Sequence, residues 1–111
     1  MRPATVARLR ELGYPSYQIY LKSSHWARVR SRFKSSRPWI CLCGEDEHLQ
    51  LHHKTYVRIG CELLDDLQPL CNRCHSLIHE LERLGLITID LTGFADIRRA
   101  LIARIDRDAQ P

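Results

Sequence analysis

Residues 51–79 decide how this chain folds: Leu51-His52-His53-Lys54-Thr55-Tyr56, then Gly60-Cys61-Glu62, then Asp66-Leu67-Gln68-Pro69-Leu70-Cys71-Asn72-Arg73-Cys74-His75, and finally His79. Just ahead of and into this stretch, Leu49, Leu51 and His53 alternate with Gln50 and His52, the period-two pattern of a strand. Tyr56 to Gly60 reads as a connecting loop with Gly60 as its turn residue, and Asp66 to Leu70 as a second short strand with Pro69 near its edge. Cys71 to Leu84 reads as a helix with Leu77, Ile78, Leu81 and Leu84 as its apolar stripe and Gly85 as its stop. Strand, loop, strand and helix follow one another.

The cysteines bracket that unit. Cys71-x-x-Cys74 has the gap that lets two thiolates face one zinc ion, which takes four such ligands in a tetrahedron. Cys41-x-Cys43 supplies the other pair, one residue shorter than usual, with Gly44 suited to the tight turn that a short pair needs. Zinc held by Cys41, Cys43, Cys71 and Cys74 would clip together the ends of residues 44–70. Cys61 stands alone beside Gly60 and is read as a non-ligand, with substitution for Cys41 as the alternative. Five cysteines, an odd number, argue against a disulfide framework and for a reducing cytoplasm.

Four of the six histidines flank the same unit. His75 and His79 are four apart on a helix, so both lie on one face and can bind one ion. His52 and His53 are neighbours on a strand and point to opposite faces, which separates their jobs: one can bind metal while the other meets substrate. His25 and His48 lie outside this cluster.

Outward from the centre, Ala4 to Leu12 reads as a short helix with Gly13 behind it, and Tyr17 to Leu21 is apolar-aromatic without a decisive pattern. Ser23 or Ser24 caps a helix to about Lys34 with Trp26, Val29 and Phe33 facing the core, and Arg37-Pro38 ends it. Leu86 to Leu91 alternates and reads as extended; Thr92 to Asp108 reads as a last amphipathic helix burying Phe94, Ile97, Leu101, Ile102 and Ile105. The chain is therefore expected to be a single α+β domain of 111 residues: a basic helical lead-in (1–37), a zinc-clipped core (38–84), and a C-terminal extended segment and helix (85–111).

Net charge is +4, unevenly spread. Residues 1–40 carry nine Lys/Arg and one acid, Glu11, whereas residues 41–111 carry eight Lys/Arg and twelve acids. A basic first part points to a polyanion partner, with Arg28, Arg30, Arg32, Lys34 and Lys54 as candidate phosphate contacts that hold a nucleic-acid backbone without reading its sequence. No apolar run is long enough to span a membrane, and Met1 to Arg10 does not read as a signal peptide.

The run from Cys41 to His79, with the lead-in Tyr20-Leu21-Lys22-Ser23-Ser24-His25-Trp26 and Arg30, resembles the HNH endonuclease family in its short phage and bacterial form. The resemblance implies a ββα-metal (His-Me) finger, flanked here by the N-terminal helices, the C-terminal helix and the four-cysteine zinc clip. It implies His53 as general base, His52 and His75 as ligands of a catalytic divalent ion (Mg²⁺, Mn²⁺, Ni²⁺ or Zn²⁺), and His79 as a further ligand. The implied reaction is hydrolysis of DNA phosphodiesters by activated water, leaving 5′-phosphate and 3′-hydroxyl ends, inside a bacterial or phage-infected cell. A double-strand break would call for a homodimer or larger assembly. Asp66 stands where the family has its middle Asn, and either fixes the hairpin loop by hydrogen bonding or touches the metal. His53→Ala is expected to abolish cleavage while sparing the fold. Two rival readings are a zinc-stapled module that binds DNA without cutting it, and a structural zinc protein that docks a partner through its last helix.

Overall fold

A computed structural model describes residues 1–88 and 94–109. At its centre lies an antiparallel hairpin of β1 (Gln50–His53) and β2 (Leu67–Leu70). The register sets Gln50 against Leu70, Leu51 against Pro69, His52 against Gln68 and His53 against Leu67. Alternation along β1 sends Leu51 and His53 to one face and His52 to the other.

Five helices surround the hairpin: α1 (Pro3–Glu11), α2 (Tyr17–Leu21), α3 (Ser24–Ser36), α4 (Asn72–Arg83) and α5 (Phe94–Asp108). Their starts are chemically specified. Pro3 occupies the first turn of α1, where a missing N–H costs no helical bond. Ser16 Oγ accepts from the Ile19 amide at α2, and Ser23 Oγ accepts from the Trp26 amide at α3. Cys71 caps α4, its sulfur accepting from the Cys74 amide. The segment 17–21, undecided in the sequence, is thus a capped single-turn helix.

Two apolar clusters form, one on each side of the hairpin. Leu9, Tyr20, Trp26, Val29 and Phe33 pack with Leu51, Ile59 and Leu67. Cys41, Leu70, Cys74, Leu77, Ile78 and Leu81 pack with Ile87, Ile97 and Leu101. An isolated helix of α5's length is marginal in water, so docking decides whether it forms. Full burial of Leu101 alone contributes about 1.5–3 kcal/mol.

Several boundaries shift from the sequence reading. Asp66 belongs to a single 3-10 turn, Leu64–Asp66, rather than to β2. Leu84 and Ile102 are exposed rather than core residues, and Ile105 is half-buried. Each lies at the margin of its helix stripe. Residues 86–88 are not a strand: Leu86 is exposed and Ile87 buried. The expected extension through Leu91, the start of the last helix at Thr92, and the burial of Phe94 lie outside the described residues. No helix among the described residues is long and apolar enough to cross a membrane.

Candidate metal centres and a buried histidine network

The turn Cys41–Gly44 and the start of α4 bring four thiols together. One sulfur from each of Cys41, Cys43, Cys71 and Cys74 lies within 4.8 Å of all the others. Cys43 Sγ and Cys71 Sγ are 3.8 Å apart. A tetrahedron with Zn–S near 2.3 Å requires sulfurs separated by about 3.8 Å; the Cys43–Cys71 pair already has that separation, and the four together could hold a metal ion such as zinc. The short Cys41-x-Cys43 pair works because Gly44 takes φ 95° and its amide closes a turn onto the Cys41 carbonyl. Burial pushes the Cys41 and Cys74 thiols up. Burial opposes ionisation of Cys71 too, but the Cys74 amide and the neighbouring thiols outweigh it and hold Cys71 below the ordinary thiol range. Cys61 is exposed beside the Arg8 guanidinium, 3.8 Å away, and is no substitute for Cys41.

A second cluster lies across the hairpin. His52 on the outer face of β1 meets His75 and His79 of α4, with ring centroids 5.4 and 6.1 Å from it. The Nε2 atoms of His75 and His79 stand 3.2 Å apart. Two imidazoles bound at 2.0–2.1 Å to one tetrahedral ion place their nitrogens about 3.3 Å apart, so this pair fits a shared cation. Glu82 Oε1 lies 3.9 Å from His79 Nδ1, behind the ring. All three histidines line a cleft of about 700 Å³ whose walls include Arg2, Tyr17, Gln18, Tyr56 and Glu82. Burial, then the neighbouring His75, His79 and His53, push the His52 pKa down to about 3. Burial and then His79 lower that of His75. Both are neutral imidazoles at pH 7, the form that ligates metal.

His53 faces the other way and is fully buried. Its ring stacks on Trp26, with centroids 4.8 Å apart. Nε2 lies 2.8 Å from Glu62 Oε2, and Nδ1 lies 2.8 Å from the Tyr17 hydroxyl. Glu62, itself buried, also accepts from the Tyr20 hydroxyl at 2.5 Å and, through Oε1, from the Gly60 amide at 2.9 Å. Burial alone would raise the Glu62 pKa, but the hydrogen bonds from His53 and Tyr20 hold it below the usual carboxylate range. His25 Nε2 sits 3.8 Å from Glu62 Oε1 without a hydrogen-bond partner. The sequence reading asked for a His53 nitrogen open to the cleft, whereas here Tyr17 stands between Nδ1 and the cleft. The expected harmlessness of His53→Ala for the fold is also revised, since that change strips a donor from a buried carboxylate.

Asp66 is apart from both clusters. It accepts from the Arg58 guanidinium through both oxygens and from the Leu63 amide. Of its two readings it takes the loop-fixing one: Arg58 closes the loop between the strands onto Asp66, and the Arg58 bond holds the carboxyl below its usual range. The basic candidates do not line the histidine cleft. Arg28 and Arg32 are exposed and Arg30 is half-buried on α3; Lys34 lies 4.5 Å over the Trp39 ring; Lys54 borders a smaller cavity beside Arg37 and Asp65. Arg2, not singled out by the sequence, is the one Lys/Arg side chain among the described cleft walls.

Tyr17, Tyr20 and Glu62 were also missed. A spacing of three on one capped helical turn puts the two tyrosines on one face, which was a readable signal. Nothing local marks Glu62 as buried. No family model, curated protein or solved structure matches the chain. Fold and site together define an α+β chain with a two-stranded antiparallel sheet and a four-cysteine cluster able to hold a metal ion such as zinc.

Proposed function

We propose that this chain is a metal-dependent endonuclease of the HNH type acting on DNA, stapled by zinc on Cys41, Cys43, Cys71 and Cys74. The observation that carries the reading is that His52, His75 and His79 line one cleft, in which the Nε2 atoms of His75 and His79 stand 3.2 Å apart. A divalent ion on these imidazoles would stabilise charge on the scissile phosphate and the leaving 3′ oxygen. The imidazole set also tolerates transition metals better than an all-oxygen site does. Arg2 would hold the phosphate backbone at the cleft wall, and the exposed arginines of α3 would act on flanking backbone if at all. Because both nitrogens of His53 are hydrogen-bonded inside the protein, it would act as base only through the Tyr17 hydroxyl, with Glu62 behind it orienting the ring.

One observation favours a second reading, a zinc-stapled module that binds DNA without cutting it: both nitrogens of His53 are engaged inside the protein. The same assay separates the two. Supercoiled plasmid is incubated with wild type, His52→Ala and His79→Ala, each with Mg²⁺, Mn²⁺, Ni²⁺ or chelator. Cation-dependent nicking by wild type, lost in both variants, supports the nuclease. Salt-dependent DNA binding without nicking under any cation overturns it in favour of the binding module.

A further inference from the structure

The buried network around His53 carries chemistry that a cleft ion alone does not explain. Glu62 accepts from the Tyr20 hydroxyl on one oxygen and from the Gly60 amide on the other, the pattern of a carboxylate, which only accepts hydrogen bonds. Nε2 of His53, 2.8 Å from Oε2, must therefore be the N–H. In the neutral ring Nδ1 is then the acceptor, and the Tyr17 hydroxyl 2.8 Å away donates to it. Tyr17 is also a wall of the cleft that holds His52, His75 and His79. Its ring is fixed edge-on against Tyr56, with centroids 5.6 Å apart. A directed chain of hydrogen bonds thus runs from a buried carboxylate, through an imidazole, to the hydroxyl of a residue that lines the cleft and whose side chain also hydrogen-bonds Tyr56. Two of its members, Tyr17 and Glu62, belong to no part of the cation site.

We propose that Glu62 and Tyr17 are positioning residues for the cleavage reaction: Glu62 fixes His53 as the Nε2–H tautomer, and the Tyr17 hydroxyl links Nδ1 to water in the cleft. The inference rests on the nuclease reading above. On attack, the water oxygen bonds to phosphorus as the bond to the 3′ oxygen breaks. The water proton passes to the Tyr17 oxygen while the Tyr17 proton passes to Nδ1, so Tyr17 ends as it began. The stack on Trp26 and the second hydrogen bond from Tyr20 to Glu62 keep ring and carboxylate from turning away.

The test combines kinetics with ¹⁵N NMR of the imidazoles in zinc-loaded protein. Wild-type His53 is expected to show a protonated Nε2 and a bare Nδ1. Glu62→Gln, whose amide can donate to Nε2, is expected to reverse that pattern. Tyr17→Phe keeps the ring and loses only the hydroxyl. Its kcat is expected to fall about 10²-fold or more, with KM and Ni²⁺ affinity unchanged. Wild-type rates in Tyr17→Phe, or a wild-type ring protonated on Nδ1, overturn the proposal while leaving the nuclease standing. A wild type that nicks nothing overturns the nuclease reading and the assigned roles with it, and the NMR pattern still tells whether Glu62 sets the tautomer.

Discussion

His75 Nε2 and His79 Nε2 face each other at 3.2 Å across one turn of α4, in the lining of a cleft also bordered by His52. With one Nε2 protonated and the other bare, the two rings share an N–H···N hydrogen bond. A shared cation would turn the same separation into ligation geometry. Glu82 Oε1, three residues beyond His79, lies 3.9 Å from its far nitrogen, near enough that a small rotation on metal binding would make it an outer carboxylate that orients the ring and raises ligand basicity.

Titration calorimetry with Ni²⁺ checks that relationship. His79→Ala is expected to lose binding at the cleft. Glu82→Gln is expected to weaken it about tenfold or more, the usual effect of removing an outer partner. Unchanged affinity in His79→Ala would remove the cleft from the metal-site candidates.

A zinc ion held by the four cysteines would be structural, so that removing it should unfold the chain rather than loosen it. Cys41 and Cys74 are core residues of the cluster that also holds Leu70, Ile78 and Leu101. Structural zinc contributes about 10–16 kcal/mol in small zinc-dependent folds, as much as the entire stability of a typical domain. Circular dichroism of Cys71→Ser, or of wild type in excess chelator, is expected to show lost cooperative melting. A chelated protein that melts cooperatively near the wild-type temperature contradicts this.

His53→Ala should destabilise the fold by about 1–3 kcal/mol or more, since it takes from the buried Glu62 carboxylate one of its donors. It also empties space beside Trp26. Urea titration reads the loss. Any cleavage defect in this variant must be set against its folded fraction, which is why Tyr17→Phe is the cleaner probe.

Asp66→Asn should destabilise the chain by about 1–3 kcal/mol. Asp66 accepts on both oxygens from Arg58 and Leu63, and an amide would turn donors toward donors. A thermal melt that rises in Asp66→Asn would show that Arg58 does not depend on the carboxylate.

Acid should weaken the fold through His52. Its pKa is pushed down to about 3 in the folded chain, against about 6.5 when unfolded. Between those values the unfolded chain binds the proton and the folded one does not, so stability falls as pH drops below about 6.5. From pH 7 to 5.5 this amounts to about 1 kcal/mol. Glu62, with a lowered pKa, acts in the same direction but at more acid pH. Urea midpoints at the two pH values, with zinc content verified, should differ less in His52→Asn than in wild type. Equal differences would exclude His52 as the source.

The period-two run at residues 49–53 and the period of α4 made the hairpin and its helix legible, because strand and helix repeats are local properties of the chain. Spacing likewise identified both pairs of the cysteine cluster, and the four-residue step from His75 to His79. Capping serines located the start of α3. What alternation could not say was which face of β1 would meet the cleft. That was settled by packing: α2 and α3 cover the side carrying Leu51 and His53, leaving His52 to meet α4. The same packing buried Glu62 and carried Tyr17 and Tyr20 onto His53 and Glu62 from 36 and 42 residues away. Short-range pattern determined the elements and the ligands within each one. Contacts between distant segments determined which histidine lines the cleft and which is buried in a hydrogen-bond network, because burial and hydrogen-bond direction depend on neighbours that no local repeat encodes.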